Sequence, residues 1–231
     1  MKFQDKVDLI HSTILSVVHT YKNDMVGKYF LYVFDGKYFE MFYGTRNFLH
    51  LTGVGSRLSA EQFYMAAKDG TLQKSQLFFN YQYPISIAMK KTKNLYYLNQ
   101  FIYSELFVYT DIVTSTASYD YGISDIDRFI MMGLAPNTSN IYNPYSLRIG
   151  GNVSNISVGM YEVNYILSKS DYIGLYDSIC FGDGNQIKKL PDSILSLIDP
   201  KLTGRFDLFG GESSNLDINS APCYPQYKKE D

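Results

Sequence analysis

The 231-residue sequence predicts an α+β fold, in which an N-terminal helix and hairpin precede helices packed against a mainly antiparallel, curved β-sheet. Three observations predict it. Apolar residues near the start recur at three-to-four spacing, two β-rich runs flank the pair Asp35-Gly36, and from Leu106 onward short β-rich runs alternate with Asn, Gly, Pro and Asp.

Taken in order, Phe3, Val7, Ile10, Ile14, Val17, Val18 and Tyr21 place a helix over residues 3–21, since positions three or four apart share one face. Lys28–Phe34 and Lys37–Tyr43 form a hairpin, because Asp-Gly tolerates the positive φ angles of a two-residue turn. The stretch Thr45 to Gly53 reads as a short helix capped by Thr45 or Asn47 and stopped by Gly53. Ser59-Ala-Glu-Gln62 is a capping box that opens a helix through Lys68, with Gly70 ending it. A longer helix is expected over Pro84–Glu105, with Ile85, Met89, Leu95, Leu98 and Ile102 as its apolar stripe and Lys90, Lys91 and Lys93 on its early half. Strands follow at Leu106–Val113, Ser118–Ile123, Arg128–Leu134, Ile141–Arg148, Ser157–Leu167 and Tyr172–Phe181, then a short helix over Leu190–Ile198. Residues 1–204 therefore make one α+β domain, and residues 205–231, with Gly210-Gly211, two prolines and a charged end, an irregular tail.

Composition narrows the function classes. Apolar content of 45% and net charge of −2 describe an ordinary globular chain. Apolar runs such as Tyr29–Phe34 fall far short of the roughly 18 residues a membrane helix needs. The charged start, Met1-Lys-Phe-Gln-Asp-Lys, lacks the apolar core of a secretory signal, which predicts a cytoplasmic protein. Cys180 and Cys223 stand far apart without metal-ligand spacing, so neither a disulfide framework nor a zinc site is expected. Residues 1–150 carry 14 basic and 12 acidic groups and residues 151–231 carry 7 and 11, a split of +2 against −4. A dense basic stripe for non-specific nucleic-acid binding is absent, and any nucleic-acid role is local and pocket-like.

No phosphate-cradling glycine loop, HExxH or GxSxG is present, and no cofactor or metal is expected. What the sequence offers instead is a metal-free polar set: His50, Thr52, Arg46, Arg57, Lys90, Lys91, Lys93, Tyr119, Ser146 and Arg148. Such a set suits RNA cleavage. A neutral imidazole takes the proton of a ribose 2′-hydroxyl, and Lys or Arg stabilises the charge growing on the scissile phosphate. His50 stands alone outside the first helix among the three histidines, although a histidine between Leu49 and Leu51 equally suits a core or capping position. The lysines equally suit the wet face of a helix, and the 22 tyrosines suit strand packing.

The runs Asn47-Phe48-Leu49-His50-Leu51-Thr52-Gly53-Val54, Leu58–Tyr64 and Gly70-Thr-Leu72 resemble the phage barnase–EndoU–colicin–RelE-like nuclease superfamily, in particular the fourth domain type of its PBECR group. Ser118–Ile123, Met132-Gly133-Leu134, Tyr142-Asn143-Pro144-Tyr145-Ser146-Leu147, Ile166–Lys169, Tyr176-Asp177 and Leu190-Pro191 extend the resemblance over roughly residues 28–200. It implies helices on a small antiparallel sheet and metal-independent ribonuclease chemistry. Carried over by position, His50, Thr52 and Ser146 would line the active face as catalytic residues, and Lys91 or Lys93 would meet phosphate. Arg46, Arg57, Arg148 and Tyr119 complete the expected RNA-contacting set, with Tyr145 as a bulky neighbour of Ser146. The expected function is a phage- or mobile-element-encoded endoribonuclease, toxin-like or aimed at a structured RNA, with RNA and an antitoxin as partners. The acidic back half supports another reading, a nuclease-derived protein that binds and inhibits a host defence protein such as a CRISPR effector. A structural module of a larger phage complex is a third.

Overall fold

The computed structural model describes residues 1–115, 117–125, 130–150 and 157–204. Arg128, Cys223 and the expected tail lie outside these residues. Helix α1 (Phe3–Thr20) continues into one π-helical turn, Tyr21–Met25, and buries Val7, Ile10, Ile14, Val17, Val18 and Tyr21 as the spacing predicts, while Phe3 at its start is exposed and Met25 beyond the expected helix is buried too. The hairpin of β1 (Tyr29–Phe34) and β2 (Lys37–Phe42) turns at Asp35 and Gly36, whose φ angles are 47° and 67°. Strand β1 is buried on both faces, which is why its sequence is a continuous apolar run. Phe30, Tyr32 and Phe34 join the main core under the helices, while Leu31 and Val33 join a second core with Tyr165, Leu167, Tyr176 and Ile194.

Next come α2 (Asn47–Thr52), β3 (Gly55–Ser56), α3 (Ala60–Lys68), β4 (Leu77–Phe78) and α4 (Ile85–Asn94). The capping box of α3 forms, with Gln62 N donating to Ser59 Oγ at 3.2 Å and Ser59 N donating to Gln62 Oε1 at 3.1 Å. The long helix expected over 84–105 is broken into α4, a 3-10 turn at Leu95–Tyr97 and α5 (Gln100–Tyr103). Side chains compete with the backbone there. Thr92 Oγ1 donates to the Ala88 carbonyl and Asn94 Nδ2 to the Lys90 carbonyl, both at 2.8 Å. The apolar stripe survives the break, with Leu95, Leu98 and Ile102 fully buried.

The remaining strands are β5 (Phe107–Val113), β6 (Ser118–Asp125), β7 (Ile130–Pro136), β8 (Tyr142–Ile149), β9 (Gly159–Glu162), β10 (Tyr165–Lys169) and β11 (Ser178–Phe181). They join the hairpin in one sheet ordered β11-β10-β1-β2-β8-β7-β6-β5-β9. The pairings are antiparallel except β2 with β8, which touch through a single parallel bridge, Met41 to Tyr142. The single strand expected over 157–167 is two strands, β9 beside β5 and β10 beside β1. Val163 and Asn164 alone connect them, so the chain changes partners at a bend: Val163 N donates to the Leu106 carbonyl at 2.9 Å and Asn164 N to the Val33 carbonyl at 2.8 Å.

That bend fixes the curvature of the sheet. Eight flat strands would separate β10 from β9 by about 34 Å, whereas the three residue steps from Glu162 to Tyr165 span at most about 11 Å. The sheet therefore curls until the end of β9 reaches β10, the strand next to the opposite edge. The expected strand over 172–181 is reduced to β11, with Tyr176 making an isolated bridge to Ile198. The same bridge shortens the expected helix 190–198 to α6 (Asp192–Leu195), because Tyr176 exchanges backbone bonds with Leu197 and Asp199. A last turn, α7 (Pro200–Thr203), follows.

Candidate functional site

Where β2 hands over to β8 through one bridge, α2 fills the junction. Asn47 pins it there, its Nδ2 donating to the Pro144 carbonyl at 3.1 Å while its Oδ1 accepts from Gly44 N at 2.8 Å. Strand β8 is irregular at the same level. Gly133 of β7 faces Ser146 and Leu134 faces Pro144, which leaves Tyr145 as an extra residue without a partner. A bulge of this kind re-aims a side chain, and Tyr145 is 57% exposed although Leu147 two residues on is fully buried. Alternation then sends Ser146 and Arg148, both half-buried, to the face opposite Leu147.

His50 sits in the last turn of α2, exposed, its ring at 14° to that of Tyr145 with centroids 6.5 Å apart. Gly53 ends the helix in the left-handed region at φ 72°, and a Cβ built there would stand 2.6 Å from Lys91 Cδ. The absent side chain of Gly53 is thus the seat of the half-buried Lys91 stem, whose Nζ reaches within 3.5 Å of the His50 carbonyl oxygen. Loss of hydration first, and the nearby Arg148 charge second, bring Lys91 down from 10.5 to about 8. Partial desolvation first, and the Lys91 charge second, hold His50 below 6.5, which keeps its imidazole neutral at pH 7.

Arg148 Nε donates to Tyr119 Oη at 3.3 Å, and its guanidinium carbon lies 5.6 Å from the centre of that ring. Tyr119 is held rigidly. It packs with Tyr109, Ile112 and Met131, and it lies over Gly133, where a Cβ would come within 2.8 Å of the ring. The rings of Tyr119 and Tyr145 are 6.2 Å apart. Five side chains from four elements thus converge: His50 from α2, Lys91 from α4, Tyr119 from β6, and Tyr145 and Arg148 from β8, with Ser146 beside them on the strand.

The other expected site residues fall elsewhere. Thr52 is fully buried, its hydroxyl donating to the Leu49 carbonyl at 2.7 Å and accepting from Val54 N at 3.3 Å, so it closes the end of α2. Arg46 is exposed and paired with Glu61 at 3.3 Å. It stands four residues before His50, on the same side of the helix, at the rim of an open depression of about 400 Å³ that reaches Phe42 and Asn143. Lys93, two residues past Lys91, leaves the opposite side of α4, and Arg57 is exposed after β3. Among the described residues no three of His, Cys, Asp and Glu gather as a metal-binding group, and no helix is long and apolar enough to cross a membrane.

A family model described as phage-Barnase-EndoU-ColicinE5/D-RelE like nuclease4, PBECR4, matches residues 13–183, a span that contains the whole cluster. The chain belongs to this family. As a PBECR4 member it is of nuclease type, with nucleic acid as its substrate class. No curated protein and no solved structure matches it. The PBECR4 span runs from α1 past β11, so the bend between β9 and β10 is part of the matched unit. Sequence reasoning missed two residues of this site, Gly53 as the seat of Lys91 and Tyr145 as the neighbour of His50. An isolated Gly after a helix signals only a stop, and a bulge leaves no mark on apolar spacing.

Proposed function

We propose that this PBECR4 chain is an endoribonuclease working without a metal ion, encoded by a phage or mobile element and either toxin-like or directed at a particular structured RNA. The observation that carries the proposal is the convergence of His50, Lys91 and Arg148 on one face within the matched span. In this reading neutral His50 takes the proton of a ribose 2′-hydroxyl, and the 2′-oxygen attacks the adjacent phosphorus. The bond from phosphorus to the 5′-oxygen breaks, leaving a 2′,3′-cyclic phosphate. The departing 5′-oxygen takes a proton, for which Lys91, at about 8, is well matched to neutral pH. Arg148 faces the charge that builds on the phosphate, and Ser146 orients the phosphate oxygens. Thr52 acts at one remove, by holding the end of α2 that carries His50. Arg46, one turn away, would meet the next phosphate along the strand.

The test is incubation of total RNA with the purified protein in EDTA. Discrete cleavage that falls by about 100-fold or more in His50→Ala is expected. Undiminished cleavage by His50→Ala would overturn the assignment. RNA left intact by every protein would favour instead a nuclease-derived inhibitor of a host defence protein, whose support is the −4 charge of residues 151–231.

A further inference from the structure

We propose that His50 and Tyr145 are the two walls of a slot for one unpaired nucleobase, which makes a single strand the form of nucleic acid this site accepts; the proposal deepens the nuclease reading above and rests on it. The rings are near-parallel, at 14°, with centroids 6.5 Å apart. Bases stack at a repeat of about 3.4 Å, so a base inserted between two rings needs about 6.8 Å. The centroid separation of the pair is thus close to that of two rings flanking one base, with the rings near-parallel as such flanking requires.

The rest of the site fits that occupant. Tyr145 is pushed out by the bulge and left 57% exposed on a rigid strand, where it serves no core. Tyr119, inclined at 59° to Tyr145, is already committed to Arg148 and does not compete for the space between the parallel rings. Arg148 and Lys91 stand beside the slot, where the backbone of a strand entering it would run. A base lying on the imidazole face puts its own ribose at the imidazole edge, within reach of proton transfer from the 2′-hydroxyl. A base inside a duplex is covered on both faces by its neighbours and cannot enter.

The experiment uses the full-length protein and a single-stranded 2′-deoxy oligonucleotide carrying 2-aminopurine, which lacks the nucleophile and stays uncut. Binding should quench its fluorescence in the wild type and in Tyr145→Phe. In Tyr145→Ala and Tyr145→Leu the quench should vanish and affinity fall about 5- to 100-fold. The same sequence as a duplex should show neither binding nor quenching. Equal quenching and affinity in Tyr145→Ala, with its melting temperature unchanged, would overturn the slot, as would quenching by the duplex. The two readings fail separately. Quenching of the deoxy strand without cleavage of the matching RNA would sink the nuclease reading and keep the slot, and cleavage that Tyr145→Ala leaves untouched would do the reverse.

Discussion

Burial first and a neighbouring cation second make both His50 and Lys91 release protons more readily than in water: Lys91 presses on His50, and Arg148 presses on Lys91. The signs set a pH profile. His50 becomes a competent base as pH rises through its own value, below 6.5, and Lys91 loses its charge as pH rises through about 8. RNA cleavage should therefore climb at acid pH, hold a plateau near neutrality and decline around 8. Arginine stays charged throughout but does not release its proton, so Lys91→Arg should lower cleavage at every pH and show no decline around 8. Arg148→Gln removes the positive neighbour and should move the decline to higher pH. Rates measured from pH 5 to 10 would decide, and a decline unmoved in both variants would assign it to another group. At this scale the sequence exposed His50, the single histidine outside α1, but not which lysine meets it. That choice depends on the side of α4 that turns toward α2, which only packing sets.

Among the elements, the short α2 depends most on its ending. Gly53 and Gly70 both end helices in the left-handed region, at φ 72° and 69°, but only Gly53 has Lys91 lying across it; a Cβ built at Gly70 would meet nothing within 4 Å. Alanine at either position should cost about 1–2 kcal/mol of stability through backbone strain. Gly53→Ala should in addition displace Lys91 and depress cleavage, while Gly70→Ala should leave cleavage unchanged, as urea melts and rate assays on the pair would show. Equal cleavage in the two variants would remove Gly53 from the site. Turn and cap chemistry is local, which is why the Asp35-Gly36 hairpin and the Ser59 capping box could be read directly from sequence. The break after Asn94 could not, because side-chain bonds from Thr92 and Asn94 outweigh an apolar stripe that stays helical in spacing.

Over the whole molecule, the α+β class was legible and the closure of the sheet was not. Residues 157–167 carry one uninterrupted β signal, and nothing in it marks Val163-Asn164 as the place where the chain leaves β5 for β1. The exchange is made by backbone amides, to which side-chain patterns are blind. Asn164→Pro removes the amide that donates to Val33 and should destabilise the protein by about 1–3 kcal/mol. Asn164→Ala keeps that amide and should cost much less. Matching urea midpoints for the two variants would show that the bend does not secure the sheet. The bend also imposes an order in time. His50, Lys91, Tyr119, Tyr145, Ser146 and Arg148 are all synthesised before residue 150, whereas the strands that fasten the curl come after it. Contacts this distant in sequence form late, so a growing chain holds every residue of the site before it holds the frame that aligns them. The site therefore takes its aligned form only once β9 and β10 have been added to the chain.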